Sequence, residues 1–370
     1  MTKYTIEWSV FDNHEFTSIL TEYKPHILDY LSKMMKPNAL LCCPSFENFY
    51  EKTYGGLTLS RPHGSNRAFY IHNSDNSVLA VKGTEPCSPE IQNALETDAR
   101  EKLPHRPWTK LENFVYREQK APFGMLLNEA LEEALIGQSY QSSIFKRYGF
   151  FEEAPLPILA FKWSSDVTRK YKETVFPFLD NRAQNLLLPI IDTYGLGGIV
   201  YHYPYLPTRV RYARKTDMSA ETKFGAIDNL ISIVARMLCI DMLPFSFEDH
   251  GIGQCVAPQN VTFKGGICDL GSIKTVEDID KDDIPILLRS LGTVLTRTAS
   301  ELLGTSAGDI IYEFDNPSTL QHLLSVVVHN KLAAELPSVL YKHSSAEFST
   351  CLQHYYRFDN HSLKYILGMQ

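Results

Sequence analysis

The sequence predicts an α+β protein with two lobes, because strand patterns dominate its first half and helix patterns its second. Three short segments near the start alternate apolar and polar residues, and turn-forming residues separate them, as in an antiparallel sheet. Later in the chain, apolar residues recur at helical spacing. The predicted strands cover residues 57–61, 67–71 and 78–82, and the later helices cover 224–243, 283–303, 318–336 and 345–356.

The remaining patterns suggest three parts. Residues 1–52 read as an N-terminal extension with a helix near 15–35. Residues 53–203 form the sheet lobe, with an insertion at 84–121 that carries one short helix, a longer helix over 123–147, and further strands at 157–163 and 197–203. A proline-containing crossing at 203–208 is the expected hinge, and residues 204–370 form the helical lobe, interrupted by a non-helical loop at 247–273.

Composition narrows the class of protein. With 44% apolar and 21% charged residues the chain can build a sizeable core, and its net charge of −7 argues against a nucleic-acid partner. The start does not resemble a signal peptide, and no apolar run reaches the roughly 18 residues of a membrane span. Seven scattered cysteines without a C-x-x-C pair indicate a reducing compartment. We therefore expect a soluble, cytoplasmic protein without a membrane partner; the sequence leaves its oligomeric state open.

Two oxygen-bearing side chains in the 247–273 loop suggest a metal site. Residues 261–263 and 266–268 are predicted to form a short hairpin around a Lys-Gly turn. Asn260 precedes its first strand and Asp269 follows its second, so both side chains should emerge at the same end. A carboxylate and an amide oxygen suit Mg²⁺, which also binds phosphates.

These residues resemble the nucleotide site of protein kinases. Asp269-Leu-Gly is similar to the D-F-G element, and the stretch from His250 to Asn260 is similar to the catalytic loop. Val-Leu-Ala-Val-Lys82 is similar to the V-A-I-K strand, whose lysine holds the α- and β-phosphates of ATP. The resemblance implies a bilobal protein-kinase-like fold and an acidic partner for Lys82. The candidates on the following helix are Glu129, Glu132 and Glu133.

The loop resembles most closely that of the selenoprotein-O family of atypical kinases. That family shares the His-Gly start of the loop and the nine-residue step from Asn260 to Asp269. Its known activity is transfer of AMP to protein hydroxyls. The resemblance implies an Mg-ATP-dependent transferase that moves a phosphoryl or adenylyl group to an unidentified acceptor, either a small molecule or a protein. An acyl-phosphate or acyl-adenylate route to an amide bond is a further possibility within this class.

The sequence departs from the kinase pattern at the expected base. Kinases carry an aspartate two residues after the loop histidine, where this chain has Ile252, and selenoprotein-O relatives carry one before the Asn, where it has Gln259. Asp249 and His250 are the candidates for a base; the alternatives are that Asp249 caps a helix or turn and that His250 props the loop. No G-x-G-x-x-G precedes Lys82. The residues expected to cover the phosphates instead are Gly64, Ser65 and Arg67.

Other interpretations stay open at this level. The chain could be a pseudokinase, a binding or scaffold protein without catalysis, or an α+β protein unrelated to kinases. Arg209 and Arg211, which follow the crossing, are either surface charges or a guanidinium fork for a substrate phosphate or carboxylate. No histidine is arranged beside Cys255 or Cys268 as the base of a cysteine nucleophile.

Overall fold

The computed structural model describes residues 6–9, 51–54, 57–60, 68–72, 76–83, 89–102, 107–150, 152, 154–163, 165–212, 218–244, 254–280, 291, 294–295, 297–299 and 301–303. Over these residues the protein combines α-helices with antiparallel sheet, so the predicted α+β class is confirmed. The chain divides into two compact units. The first comprises Met1–Gln138 and Leu156–Leu206, and the second comprises Ser139–Pro155 and Pro207–Gln370.

The first unit contains a seven-stranded sheet in which every neighbouring pair is antiparallel. The strand order is β1-β6-β7-β5-β4-β3-β2, so β5 and β7 lie at the centre although they are far apart in sequence. The strands are β1 Ile6–Ser9, β2 Glu51–Tyr54, β3 Leu57–Ser60, β4 Ala68–His72, β5 Val78–Lys82, β6 Leu156–Trp163 and β7 Gly197–Tyr203.

The central strands are apolar because both faces of the sheet are covered there. In β5, every residue except the terminal Lys82 is buried. Ala80 lies opposite Tyr70 on one side and Tyr201 on the other, so its small side chain leaves space between two large rings. Tyr203 makes edge-to-face contacts with both tyrosines, at centroid distances of 6.4 and 6.3 Å.

One long helix packs on this sheet and continues into the second unit. It spans Leu127–Tyr148, with residues up to Gln138 in the first unit. Its start is fixed to the turn that directly precedes β7, because Leu127 N donates to Gly195 O at 3.1 Å. Ala130 and Ala134 are fully buried against the sheet core, where small side chains allow the helix backbone to come close.

The described part of the first unit contains four further helices, and local signals set the ends of two of them. Thr109 forms a capping box with Glu112 at one helix start, and Asp180 caps another by accepting from Ala183 N at 2.7 Å. In chain order, and counting the long helix as α3, they are α1 Pro89–Arg100, α2 Lys110–Glu118, α4 Ser165–Val175 and α5 Asn181–Tyr194.

The second unit is built around α6, Ala220–Leu238, which Ser219 caps, and a two-stranded sheet of β8, Met242–Leu243, and β9, Lys274–Thr275. Helical residues also lie between 291 and 303. There, Thr298 Oγ1 donates to Val256 O at 2.7 Å and ties this segment to the loop that precedes Asn260.

A buried ion pair lies in the core of the second unit. Glu152 has only 2% of its side chain exposed, and its two oxygens accept from Arg236 Nε and Nη2 at 2.5 and 2.8 Å. Gln141 supports the same segment, donating to Glu152 O and accepting from Glu152 N. Because the carboxylate is charged and buried, this two-point contact is needed to offset its lost hydration.

The structure differs from the sequence prediction in several elements. Residues 1–52 are not a purely helical extension, because Ile6–Ser9 pairs with β6 as an edge strand of the sheet. The 84–121 insertion has two helices rather than one. Helices α4 and α5 were not predicted: α4 buries only a narrow apolar stripe on a polar surface, and in α5 a continuous apolar run and the internal Pro189 obscure the helical spacing. The helices predicted at 15–35, 318–336 and 345–356 lie outside the described residues.

Among the helices that the structure describes, none combines the length and the apolar character needed to cross a lipid bilayer.

Gly83, directly after β5, is the position where a substitution should be most costly to the sheet. Its φ is +86°, and an added Cβ would lie 2.4 Å from Gly197 O and 2.6 Å from Gly198 Cα. Gly83→Ala should lower the free energy of unfolding, measured in urea, by at least about 2 kcal/mol.

Gly149→Ala is the matched control, because Gly149 has a φ of +77° but no heavy atom within 4 Å of an added Cβ. It should show only the backbone cost of about 1–2 kcal/mol. Equal costs at the two glycines would contradict the close approach of Gly83 to β7.

Candidate functional site

Lys82 forms a tight ion pair with Glu133 inside the first unit. Its Nζ donates to Oε1 and Oε2 of Glu133 at 2.7 and 2.8 Å. The lysine side chain is 16% exposed and the glutamate side chain 3%. Lys82 therefore keeps a small contact with solvent, whereas the carboxylate is buried.

Backbone pairing fixes both partners. Lys82 closes β5 with Ala68 opposite it on β4 and Ile199 on β7, so its backbone is held from both sides. Glu133 lies on α3 next to the sheet-facing Ala134. The sequence offered three glutamates as partners of Lys82. The rotation of α3 against the sheet selects Glu133 among them.

The other two acidic candidates differ from Glu133 in burial. Glu132 is exposed and Glu129 is half-buried, whereas Glu133 is buried. A buried carboxylate requires a charged or hydrogen-bonding partner, and the lysine ammonium provides one.

The predicted hairpin after Asn260 is present in the second unit. Val261 pairs with Ile267, Thr262 N donates to Gly266 O at 2.7 Å, and Cys268 N donates to Asn260 O at 2.7 Å. Asn260 therefore lies across from Cys268, one residue before Asp269. The step from Asn260 to Asp269 is thus closed by backbone hydrogen bonds.

The hairpin turn is held by its own threonine. Thr262 is 1% exposed, and its Oγ1 accepts from Lys264 N at 3.3 Å and from Gly266 N at 3.0 Å. These two contacts occupy backbone amides that the tight turn leaves without strand partners. Sequence analysis did not identify this role of Thr262, although a threonine before a Lys-Gly turn is a recognisable local signal.

The turn also docks on helix α6. Gly265 has a φ of +83°, and an added Cβ would lie 2.0 Å from Ala226 O, so only glycine fits. Asn229 Nδ2 donates to Lys264 O at 3.0 Å from the same helix. The tip of the hairpin is thereby fixed to α6.

A third extended segment lies beside the hairpin. Phe263 N donates to Thr208 O at 2.9 Å, and Val210 N donates to Val261 O at 2.8 Å. Arg209 consequently pairs with Thr262 in an antiparallel bridge. This register could not be predicted from spacing, because about fifty residues separate the two segments.

Asp269 and Asn260 occupy different environments at the hairpin end. Asn260 is 7% exposed, whereas Asp269 is half-exposed. Gly271 N donates to Asp269 Oδ1 at 3.2 Å, which makes a tight turn directly after the carboxylate.

The two nearby thiols are buried and stay protonated at neutral pH. Burial raises the pKa of Cys268 to about 12; the guanidinium of Arg209 opposes this rise and the Asp269 carboxylate adds to it. Burial, with a smaller contribution from Asp269, also holds the pKa of Cys255 well above its ordinary value. A protonated thiol is a poor nucleophile, which argues against a catalytic cysteine here.

The donor set at the hairpin suits Mg²⁺ shared with phosphates better than a metal held by protein alone. Over the described ranges, no three His, Cys, Asp or Glu side chains are grouped closely enough to hold an ion. One carboxylate and one amide oxygen, from Asp269 and Asn260, match the few protein ligands that Mg²⁺ takes when substrate phosphates and waters complete its shell.

Five predicted site residues lie outside the part of the chain that the structure describes: Gly64, Ser65, Arg67, Asp249 and His250. The phosphate-covering loop and the base therefore remain predictions from the sequence.

No family model, no curated protein and no solved structure matches this chain.

The Lys82–Glu133 pair can be tested by a double-mutant cycle. Lys82→Met leaves a buried carboxylate without its ammonium and should lower the free energy of unfolding by about 3 kcal/mol. Adding Glu133→Met should recover part of this loss, giving a coupling energy of about 1–3 kcal/mol in urea unfolding.

The exposed pair of Lys110 and Glu101 is the control, because its Nζ–Oε2 distance of 2.6 Å is equally short while both side chains are over 40% exposed. Its coupling should stay between about 0.2 and 1 kcal/mol. A Lys82–Glu133 coupling no larger than this would contradict the buried pair.

Proposed function

We propose that this protein is an Mg-ATP-dependent transferase of protein-kinase-like fold. The observation that carries the proposal is the Lys82–Glu133 pair, a lysine at the end of a central strand bound to a buried glutamate on a helix. Protein kinases use a lysine on the third strand and a glutamate on the following helix in this way to hold the α- and β-phosphates.

The arrangement of the first unit supports this reading. Lys82 ends the strand β5, the helices α1 and α2 of the insertion come next, and Glu133 lies on α3 after them; the strands β6 and β7 follow α3. Apart from the α1–α2 insertion, the order strand, lysine, helix, glutamate, strand, strand is the order that the resemblance predicts. Two residues distant in sequence have thus been brought together by the sheet and helix positions themselves.

The second unit supports the metal part of the proposal independently. Its hairpin holds Asn260 and Asp269 at the same end, with a glycine after the aspartate. In the proposed function these oxygens bind Mg²⁺, which supplies charge neutralisation for the nucleotide phosphates. Lys82 grips the phosphates, and Glu133 orients Lys82.

Catalysis in such a site consists mainly of positioning and electrostatic stabilisation. The transition state of phosphoryl transfer is loose in most analyses, so a strong base is not required. This is compatible with Ile252 and Gln259 at the two positions where related loops have an aspartate. The transferred group is phosphoryl or adenylyl, and the acceptor is a small molecule or a protein.

A pseudokinase-type scaffold is the second candidate. Ile252 and Gln259, which replace the expected aspartates, favour it. It predicts that nucleotide binding, if present, leads to no turnover. Retention of both the Lys82–Glu133 pair and the two oxygen ligands favours the transferase.

Thermal unfolding with ATP tests the proposal. In Mg²⁺, ATP at 100 times its Kd should stabilise the protein by about 2.7 kcal/mol, which corresponds to a rise of a few degrees in Tm. EDTA should remove the shift, and so should Asp269→Ala, because both take away the metal that carries the phosphates.

Glu277→Ala is the control for loss of an acidic side chain in the same unit, since Glu277 is exposed and outside the hairpin. It should keep the full shift. Absence of any shift at millimolar ATP in the wild type would overturn the nucleotide-site proposal. A shift without transfer of label from ATP to any acceptor would favour the scaffold.

A further inference from the structure

Ser60 and His72 form a hydrogen-bonded pair of side chains on the sheet of the first unit. The hydroxyl Oγ of Ser60 and Nε2 of His72 lie 2.6 Å apart. This distance falls in the range at which a base can take the proton of a nucleophile. Both residues are half-buried, so each keeps some contact with solvent. The pair is separate from the Lys82–Glu133 pair and from the hairpin after Asn260.

Strand pairing fixes the geometry of this pair. Ser60 ends β3 and lies opposite Tyr70 of β4. His72 ends β4 and lies opposite Thr58 of β3 on one side and Val78 of β5 on the other. The side chains of Ser60 and His72 are therefore diagonal neighbours on one face of the sheet, a separation that a long side chain can span. Residues on paired strands hold such a geometry more precisely than residues on loops.

The apolar core of the first unit borders the pair. Tyr70 lies opposite Ser60 and two residues before His72 on the same face, and it is 6% exposed. It belongs to the buried cluster that includes Ala130 and Ala134 of α3. Surroundings of low dielectric constant strengthen a hydrogen bond. The pair thus combines an apolar border with a side that a reactant in solution can reach.

A serine beside an imidazole is a combination of nucleophile and base. When Nδ1 of His72 carries the ring proton, Nε2 accepts a hydrogen bond from the Ser60 hydroxyl and can take its proton. The serine oxygen can then attack a carbonyl carbon, as in enzymes that form acyl-serine intermediates. A purely structural hydrogen bond needs no proton transfer, and this difference can be tested.

We propose that Ser60 is a nucleophilic serine with His72 as its general base, and that the pair cleaves esters with a good leaving group. Oγ of Ser60 bonds to the ester carbonyl carbon, and its proton passes to Nε2 of His72. The bond from that carbon to the alcohol oxygen breaks, and the alcohol leaves with the proton from His72. Water then hydrolyses the acyl-serine and releases the carboxylic acid, and a proton of the water returns to Oγ through His72. This activity goes beyond the transferase proposal and requires no nucleotide.

A fluorophosphonate probe on the full chain tests the nucleophile. In this reaction Oγ of Ser60 bonds to phosphorus, fluoride leaves, and the hydroxyl proton passes to His72. Peptide mass spectrometry of the wild type should find the probe on Ser60. Hydrolysis of p-nitrophenyl acetate above the rate of the buffer should be lost in Ser60→Ala.

His72→Gln distinguishes a base from a structural partner. A glutamine amide can still hydrogen-bond the Ser60 hydroxyl, but it cannot take a proton from it at neutral pH. The variant should keep a Tm close to that of the wild type. Labelling of Ser60 and ester hydrolysis should each fall about 100-fold or more, which is the usual contribution of a general base.

Ser219→Ala is the matched control, because Ser219 is an exposed serine whose hydroxyl lies 2.9 Å from the hydroxyl of Thr222 instead of an imidazole. It should be labelled at Ser60 at the rate of the wild type. A wild type without the probe on Ser60 overturns the proposal, and this result does not require any variant to fold. Unchanged labelling of Ser60 in folded His72→Gln would show that the pair is only a structural hydrogen bond.

Discussion

The buried carboxylate of Glu133 is the constraint on which the first unit depends. A charge that is 3% exposed is tolerated only beside a partner, and the ammonium of Lys82 supplies it at 2.7 Å. To meet, the last residue of β5 and the second turn of α3 must be held in one relative position. The alanines of α3, the tie of its first turn to Gly195 and the pairing of β5 between two strands all serve that position.

The hairpin of the second unit is held in a different way, by backbone geometry and not by an ion pair. A nine-residue step is closed by three backbone contacts, Thr262 supports the turn from inside, and Gly265 presses the tip on α6. Any side chain at Gly265 would have to move the carbonyl of Ala226 on α6. In the proposed function this rigidity suits Asn260 and Asp269 as ligands, because ligand positions that shift by a fraction of an ångström lose the near-ideal octahedral shell that Mg²⁺ requires.

The sequence predicted the local elements of the fold and of the candidate site, but not the contacts between residues far apart in the chain. Strand alternation predicted β3, β4 and β5, and turn chemistry predicted the hairpin after Asn260, because both depend on neighbours a few residues away. Choosing Glu133 among three glutamates needed the rotation of α3 against the sheet, which spacing does not fix. Arg236 and Glu152 are 84 residues apart, and the bridge of Arg209 to Thr262 is also long-range, so neither leaves a local pattern. Helix α4 was overlooked because its buried stripe is narrow, and α5 because its continuous apolar run and internal Pro189 hide the helical spacing.

The buried thiols allow local opening of the hairpin region to be measured. Cys255 and Cys268 are at most 6% exposed and protonated, so an alkylating reagent can modify them only after the surrounding structure opens. Their modification rate, resolved residue by residue by mass spectrometry, therefore counts openings of the segment around Asp269. A ligand that binds across the hairpin and stabilises its closed state slows this modification. The rate therefore detects a ligand whose chemical identity is still unknown.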